Sequence, residues 1–217
     1  TKFLNNICFK GMKVIDIGAN VGYYSALTSE AVGPNGIVLA LEPDPESYNY
    51  LLKTIKSSKF KNIRSFRKAA SDHNNILPLF ISKDNRGDNR LYKTKQKRQS
   101  IRVETIRLDE LVIENEIDQI DLVKIDVQGY EPKVIRGMEN IIKSSTNITL
   151  LTEFWPRGIV EAGENPTDFL KMLRNLDFLL YELNKQGDLM PLRKEDDARL
   201  IYKYRGRKYT NLVGKKI

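Results

Sequence analysis

One cysteine, one histidine and one tryptophan occur in 217 residues. Cys8 has no partner for an internal disulfide, and a lone thiol suits a reducing cytosol. With no histidine or second cysteine near it in sequence, Cys8 is expected to pack rather than to react. His73 sits in a polar Ser-Asp-His-Asn-Asn turn and is expected to be exposed and idle. Zinc-ligand spacing is absent, so no metal site is expected. No apolar run approaches the roughly 20 residues that cross a bilayer. Thr1-Lys2-Phe3 carries no charged-then-apolar leader, which fits a cytoplasmic location. Missing as well are G-x-x-x-x-G-K-[ST], which cradles phosphates, and G-x-G-x-x-G, which opens for a pyrophosphate. These gaps exclude disulfide scaffolds, zinc modules, helical membrane spans and phosphate-loop hydrolases.

What is present begins with Val14-Ile15-Asp16-Ile17-Gly18-Ala19-Asn20-Val21-Gly22-Tyr23-Tyr24-Ser25. An apolar run ends in an acid, glycine-rich backbone follows, and a helix-like segment starts. Such a turn lets backbone approach a ligand where a side chain would collide. One βαβ crossover later, the apolar run Ile37 to Leu41 ends in Glu42. A carboxylate there can accept hydrogen bonds from both hydroxyls of a ribose. Asn20 replaces the middle glycine of a dinucleotide fingerprint, and Asp16 would repel a pyrophosphate but favour a sulfonium. S-adenosylmethionine fits this pattern best. The expected cofactor set is Asp16, Gly18, Asn20, Gly22, Tyr23 and Glu42. Ser71 and Asp72, in the turn after the third strand, join it on the adenine side.

Lysine and arginine number 36 against 28 acids, a net charge of +8. The excess is uneven: residues 83–100 carry seven basic and two acidic side chains, and the tail from Arg199 is basic too. Only Tyr92 interleaves the first run, which argues against a base-stacking surface without excluding nucleic acid. A solvated loop and a lid that attracts an acidic acceptor are the other two readings.

The chain alternates strands and helices in the doubly wound manner. Strands are expected at Lys13 to Ile17, Ile37 to Leu41, Ile63 to Phe66, Ile120 to Ile125 and Asn147 to Phe154, then near Phe178 to Leu183 and Arg199 to Tyr204. Helices are expected at Tyr23 to Val32, after Pro43-Asp44-Pro45-Glu46, in a short turn at Leu108 to Leu111, at Pro132 to Lys143 and near Thr167 to Asn175. Ile76 to Ile81 and Ile101 to Ile106 flank the basic run as an inserted β-hairpin. The expected fold class is α/β: a Rossmann-like doubly wound sheet, mostly parallel, with an antiparallel C-terminal strand. With no linker or repeat, residues 1–217 are expected to form one domain.

Asp16 to Gly22, Glu42-Pro43, Asp109-Glu110-Leu111 and above all Lys124-Ile-Asp-Val-Gln-Gly-Tyr-Glu131, followed by Gly137, carry a family resemblance. From about Val14 to Pro156 the chain resembles the FkbM-type S-adenosylmethionine-dependent methyltransferases, built on the class I methyltransferase fold. Gln128 departs from that pattern, which usually has Glu there. The resemblance implies O-methylation of a sugar or secondary-metabolite hydroxyl. Methyl transfer is an in-line displacement, so alignment supplies much of the rate, and a base helps remove the hydroxyl proton. Asp126, at the carboxyl end of a central strand, is the first candidate for that base. Glu131 is the second, with a charge at a helix N-terminus as its alternative role. Glu153 ends the next strand and can line the same cleft, whereas Trp155 is expected to pack.

Three functions stay open on these residues. The first is a glycan or small-molecule O-methyltransferase. The second is a ribose 2′-O RNA methyltransferase, for which Asp126 and Glu153 supply half of a Lys-Asp-Lys-Glu set. The third is a non-catalytic binding module on a cofactor fold.

Overall fold

The computed structural model describes residues 2–59 and 61–216, so Thr1 of the opening tripeptide lies outside them. After helix α1 (Lys2–Ile7) the chain runs β1 (Lys13–Ile17), α2 (Tyr23–Val32), β2 (Ile37–Leu41), α3 (Pro45–Ser57) and β3 (Ile63–Phe66). An insert follows: β4 (Ala69–Ala70), β5 (Asn75–Ile81) and β6 (Gln99–Ile106). Next come α4 (Leu108–Glu114), β7 (Leu122–Ile125), α5 (Glu131–Arg136), α6 (Glu139–Ser144) and β8 (Thr149–Phe154). The chain closes with α7 (Pro156–Glu161), α8 (Pro166–Asn175), β9 (Leu179–Leu183), β10 (Leu189–Pro191), α9 (Asp197–Lys203) and β11 (Thr210–Lys215).

The main sheet has eight strands in the order β10-β9-β11-β8-β7-β1-β2-β3. From β3 to β8 every pairing is parallel, and β11 inserts antiparallel between β8 and β9. Continuous apolar runs make the central strands because both faces are covered. Successive side chains alternate between those faces. Ile15, Leu39, Val123 and Leu150 enter one core, while Val14, Val38, Leu122, Leu151 and Val213 enter another beneath Phe3 and Leu4 of α1. The expected hairpin is real: β5 and β6 pair antiparallel from Asn75↔Thr105 to Ile81↔Gln99, joined by β4 in a separate three-stranded sheet.

Two expected elements are corrected. Arg199 to Tyr204 is not a strand: Arg199 to Lys203 belong to α9, and Tyr204 caps its end. Arg174 binds both carboxylate oxygens of Asp197 at 2.7 Å, pinning the first turn, and Leu200 and Tyr204 reach the core at helical spacing. The antiparallel strand is β11 instead. The long helix from Pro132 to Lys143 is broken into α5 and α6 around Gly137-Met138. At Gly137 a Cβ would lie 2.0 Å from the Ser71 carbonyl oxygen, so the helix passes there against backbone. The Gly137 carbonyl accepts the Asp109 N–H, and the Asp109 carboxylate in turn accepts the N–H groups of Asn140 and Ile141 that open α6. Four elements carried too little pattern to be expected: α1, β4, α7 and β10.

Overpacking at this crossing sets a test. Gly137→Ala is expected to destabilise the protein by about 1–3 kcal/mol, the usual cost of forcing extra volume into packed structure, measured by urea unfolding. Unchanged stability would mean that the α5–Ser71 contact is loose.

Candidate active site

The β1-to-α2 turn is shaped by positive backbone angles at Gly18 (φ 73°), Asn20 (φ 51°) and Gly22 (φ 86°). At Gly18 no side chain fits at all, since a Cβ would sit 2.1 Å from the Asp126 carbonyl oxygen. Asparagine tolerates the left-handed region better than most residues, which explains Asn20. Its N–H donates to Glu42 at 2.8 Å, while the Asp44 N–H donates to the other Glu42 oxygen at 2.9 Å. Two backbone donors thus fix that carboxylate at the tip of β2. Burial raises Glu42 to about 7, against the pull of those two N–H groups.

Beneath the turn lies a buried ion pair. Lys124 of β7 donates to Asp16 of β1 at 3.1 Å, and Ser25 donates to the other Asp16 oxygen at 2.7 Å. The register aligns Asp16 with Lys124, so the pair spans neighbouring strands on one face. Burial works against the Lys124 ammonium, but Asp16 and Asp126 outweigh it and hold its pKa above the ordinary value. Lys124 also lies 5.0 Å from the centre of the Tyr24 ring.

The turn opens on a cleft of about 220 Å³. Of the expected residues, Gly18, Asn20, Tyr23, Glu42 and Asp126 line it together, joined by Gln128 and by Lys124. Asp16 and Gly22 do not line it. Asp16 acts from below through Lys124, and Gly22 is packed against Leu51 and Thr54. Ser71 and Asp72 are not brought into the cleft; Ala69 and Ala70 of β4 line it instead. Ser71 is fully buried beside Tyr130 and Asp72, and Asp72 accepts from Ser71 and pairs with an exposed His73 at 2.6 Å.

After β7 the chain makes a tight loop in which Gln128 (φ 57°) and Gly129 (φ 100°) both have positive φ. The Gln128 amide donates to Asp126 at 3.0 Å and to Glu153 at 3.3 Å, so a single NH₂ group links the two carboxylates. A glutamate at 128 would replace that donor with a third negative charge. Burial, then Asp126 and Glu131, push the Glu153 carboxyl well above its usual range. Glu131 does not line the cleft. It is fully buried at the start of α5, accepts the Val127 N–H at 3.2 Å, and leaves one oxygen without a partner among the described residues. Burial raises it to about 7. Its place is behind the loop that carries Asp126 and Gln128.

The basic insert was open to three readings, and its arginines turn inward. Arg86 pairs with buried Asp44 at 2.7 Å and with Glu46, while Asn89 donates to the same Asp44 oxygen at 3.2 Å. Arg90 bridges Asp88 at 2.6 Å and Glu161 at 3.0 Å and covers the Trp155 ring at 4.7 Å. Arg98 binds Asp88 as well. Arg86, Gly87 and Asn89 thereby wall the cleft beside Asn20. Trp155 is buried, as its packing role requires, and its indole N–H donates to the Gly206 carbonyl at 2.9 Å. Cys8 is half-buried, and burial raises its thiol to about 11, which suits packing. Among the described residues no group of three His, Cys, Asp or Glu side chains is placed to hold a metal ion, and no helix is long and apolar enough to cross a membrane.

Glycine turn, ribose-type carboxylate and the β11 insertion together define a class I S-adenosylmethionine-dependent methyltransferase. The residues fit the donor: Gly18 leaves backbone bare, and Glu42 and Asn20 line the same cleft. The chain belongs to the FkbM methyltransferase family, whose profile, "Methyltransferase FkbM domain", matches residues 16–188. Among curated relatives it is 27% identical over 186 residues to the hexuronic acid methyltransferase AglP of Haloferax volcanii, covering 84% of this chain and 70% of that protein. A solved FkbM methyltransferase from Methylobacillus flagellatus superposes with TM-score 0.58 at 16% identity, over 94% of this chain and 43% of that one. This chain therefore spans less than half of that solved protein. Aeropyrum pernix fibrillarin with bound S-adenosyl-L-methionine shares the fold at TM-score 0.52 and 12% identity, over 95% of this chain and 67% of that one.

Two measurements follow. Glu42→Ala is expected to weaken S-adenosylmethionine binding about 10- to 100-fold by calorimetry, the worth of charge-assisted hydrogen bonds lost together. Unaltered affinity would remove Glu42 from the donor site. A carboxyl at about 7 in the fold against 4.5 unfolded binds its proton more tightly when folded, so its stabilisation is complete below pH 4.5 and lost as pH rises through 7. Glu131→Gln should therefore gain on the wild type by about 3 kcal/mol between pH 4 and 8 in urea melts. Parallel pH curves for the two proteins would refute the raised carboxyl.

Proposed function

We propose that this protein transfers the methyl group of S-adenosylmethionine to a hydroxyl oxygen of a sugar, with Asp126 as the base. The observation that carries this is the position of Asp126. It lines the donor cleft at the β7 tip, and among the described residues its one side-chain hydrogen bond comes from Gln128. A carboxylate so held can take a hydroxyl proton while the amide fixes its orientation. Glu131 serves as a positioning residue, holding the Asp126–Gly129 loop through the Val127 N–H. Glu42, Asn20, Gly18 and Tyr23 hold the donor, with Asp16 and Gly22 supporting the turn from beneath. Ser71 and Asp72 are given no direct part, because Ala69 and Ala70 line the cleft and they do not.

Similarity to a hexuronic acid methyltransferase over 84% of the chain supports a sugar as the acceptor. The family of methyltransferases to which the chain belongs supports catalysis over a purely binding role. The lone half-buried thiol supports a cytoplasmic location, and residues 1–217 are proposed to act as one domain.

Incubation with methyl-labelled S-adenosylmethionine and cell extract, fractionated into glycan, lipid, protein and RNA, tests the acceptor class. Label is expected in the glycan pool. Label confined to RNA would replace this function with a nucleic-acid one, and no label in any pool would favour a binding module. Asp126→Asn should bind the donor within about threefold of wild type yet label the glycan pool 10²–10⁴-fold more slowly, the usual contribution of a general base. Gln128→Glu, which sets three carboxylates side by side, should also slow transfer.

A further inference from the structure

A second cavity, of about 230 Å³, meets the donor cleft at the β7 tip. The donor cleft lies toward β2, and this one lies toward β8, β11 and β9. Tyr24, Lys124 and Asp126 belong to the walls of both. Strand register builds its floor: Asn211 of β11 sits opposite Glu153 of β8 and opposite Leu183 of β9. Glu153 follows Leu151 at a two-residue step, as Lys124 follows Leu122 and Asp16 follows Val14. All are therefore on the face that packs beneath α1. Leu4, Leu151 and Leu183 make the apolar wall, and the exposed ring of Tyr209 stands at the mouth.

The polar groups of this chamber have an uneven inventory. Asp126 and Glu153 line it, their carboxyl groups bridged by one amide. Asn211 brings a donor and an acceptor and makes no side-chain hydrogen bond to the described residues. Among the described residues Lys124 is the one cation in its wall, and Asp16 already neutralises it. An acceptor carrying carboxylate or phosphate into this chamber would meet the Asp126 carboxylate with no spare positive charge beside it. An uncharged ring meets what it needs. Its hydroxyls donate to the Asp126 carboxylate and exchange hydrogen bonds with Glu153 and Asn211, while its C–H faces lie on leucine and tyrosine. The volume is below the roughly 300–1,000 Å³ of drug-sized ligand sites, enough for one ring rather than a chain of them.

We propose that this second cavity is the acceptor pocket and that it selects an uncharged sugar ring, with one ring hydroxyl directed at Asp126. The proposal rests on sugar O-methylation as proposed above and adds the location and charge of the acceptor. The hydroxyl oxygen forms the new O–CH₃ bond as the CH₃–S bond breaks. The breaking pair stays on sulfur, and the hydroxyl proton passes to the Asp126 carboxylate. A hexuronic acid would have to keep its charged group outside the chamber.

Saturation-transfer NMR on the protein loaded with S-adenosylhomocysteine, with p-nitrophenyl glucoside and p-nitrophenyl glucuronide as probes, tests this. Glucoside ring protons are expected to receive magnetisation, with the glucuronide at least tenfold weaker. Leu183→Trp, which fills the chamber, should abolish the signal while S-adenosylhomocysteine affinity stays within twofold by calorimetry. A silent glucoside with wild-type protein, a stronger glucuronide, or a signal that survives Leu183→Trp each overturns the proposal. If Leu183→Trp loses cofactor affinity, the exposed-site variant Asn211→Leu decides instead, and an undiminished glucoside signal there overturns it. Glycan labelling with a silent glucoside sinks the pocket alone, whereas RNA labelling sinks the sugar function on which it rests.

Discussion

Everything in the site hangs on how closely the tips of β1 and β7 approach. Gly18 leaves so little room that a Cβ would stand 2.1 Å from the Asp126 carbonyl oxygen, and directly beneath, Lys124 and Asp16 pair across the same two strands. A buried ion pair is a poor source of net stability, because desolvating both charges offsets most of their attraction. Its value here is geometric. Ser25 satisfies the second Asp16 oxygen, and Asp16 and Lys124 stand in register, so neither strand can slip without stranding a charge. Donor turn and Asp126 are therefore held at one spacing, which an in-line displacement needs more than it needs any single catalytic group.

Three buried carboxyls around this junction are stabilised in three different ways. Glu42 takes two backbone N–H groups and so becomes a rigid acceptor at the β2 tip. Glu131 takes the Val127 N–H and braces a loop with two consecutive positive-φ residues. Glu153 shares the Gln128 amide with Asp126. Gln128 helps two acidic side chains sit close: a single amide donor serves both. This is the physical content of the departure from the family pattern at that position.

The insert between β3 and α4 contributes through Arg86, Arg90 and Arg98, each of which is paired with carboxylates of the protein. Asp44 anchors Arg86 at the donor end, while Asp88 and Glu161 anchor Arg90 and Arg98 toward β8 and α7. The loop is thus a strap across one side of the cleft in which the guanidinium charges of Arg86, Arg90 and Arg98 are spent within the protein, while Lys83, Lys93, Lys95 and Lys97 stay exposed.

Much of this was legible in the residues before any coordinates. Apolar runs ending in Asp16, Glu42 and Asp126, the glycine turn and the hairpin flanking the basic run specify the α/β class, the donor and the first catalytic candidate, because each depends on local backbone chemistry or on a fixed two-residue alternation. Contacts remote in sequence decided the rest. Arg199 to Lys203 became a helix because Arg174 holds Asp197, 23 residues away. The α5–α6 break exists because Gly137 meets the Ser71 carbonyl. Glu131 and Asp72 are not among the residues that line the cleft, since Glu131 is buried at the start of α5 and Ala69 and Ala70 supply the lining next to Asp72. Where the basic charges point, and that Glu153, Asn211 and Leu183 stand in one row beside Asp126, follow from strand order and register across the sheet, which no local pattern encodes.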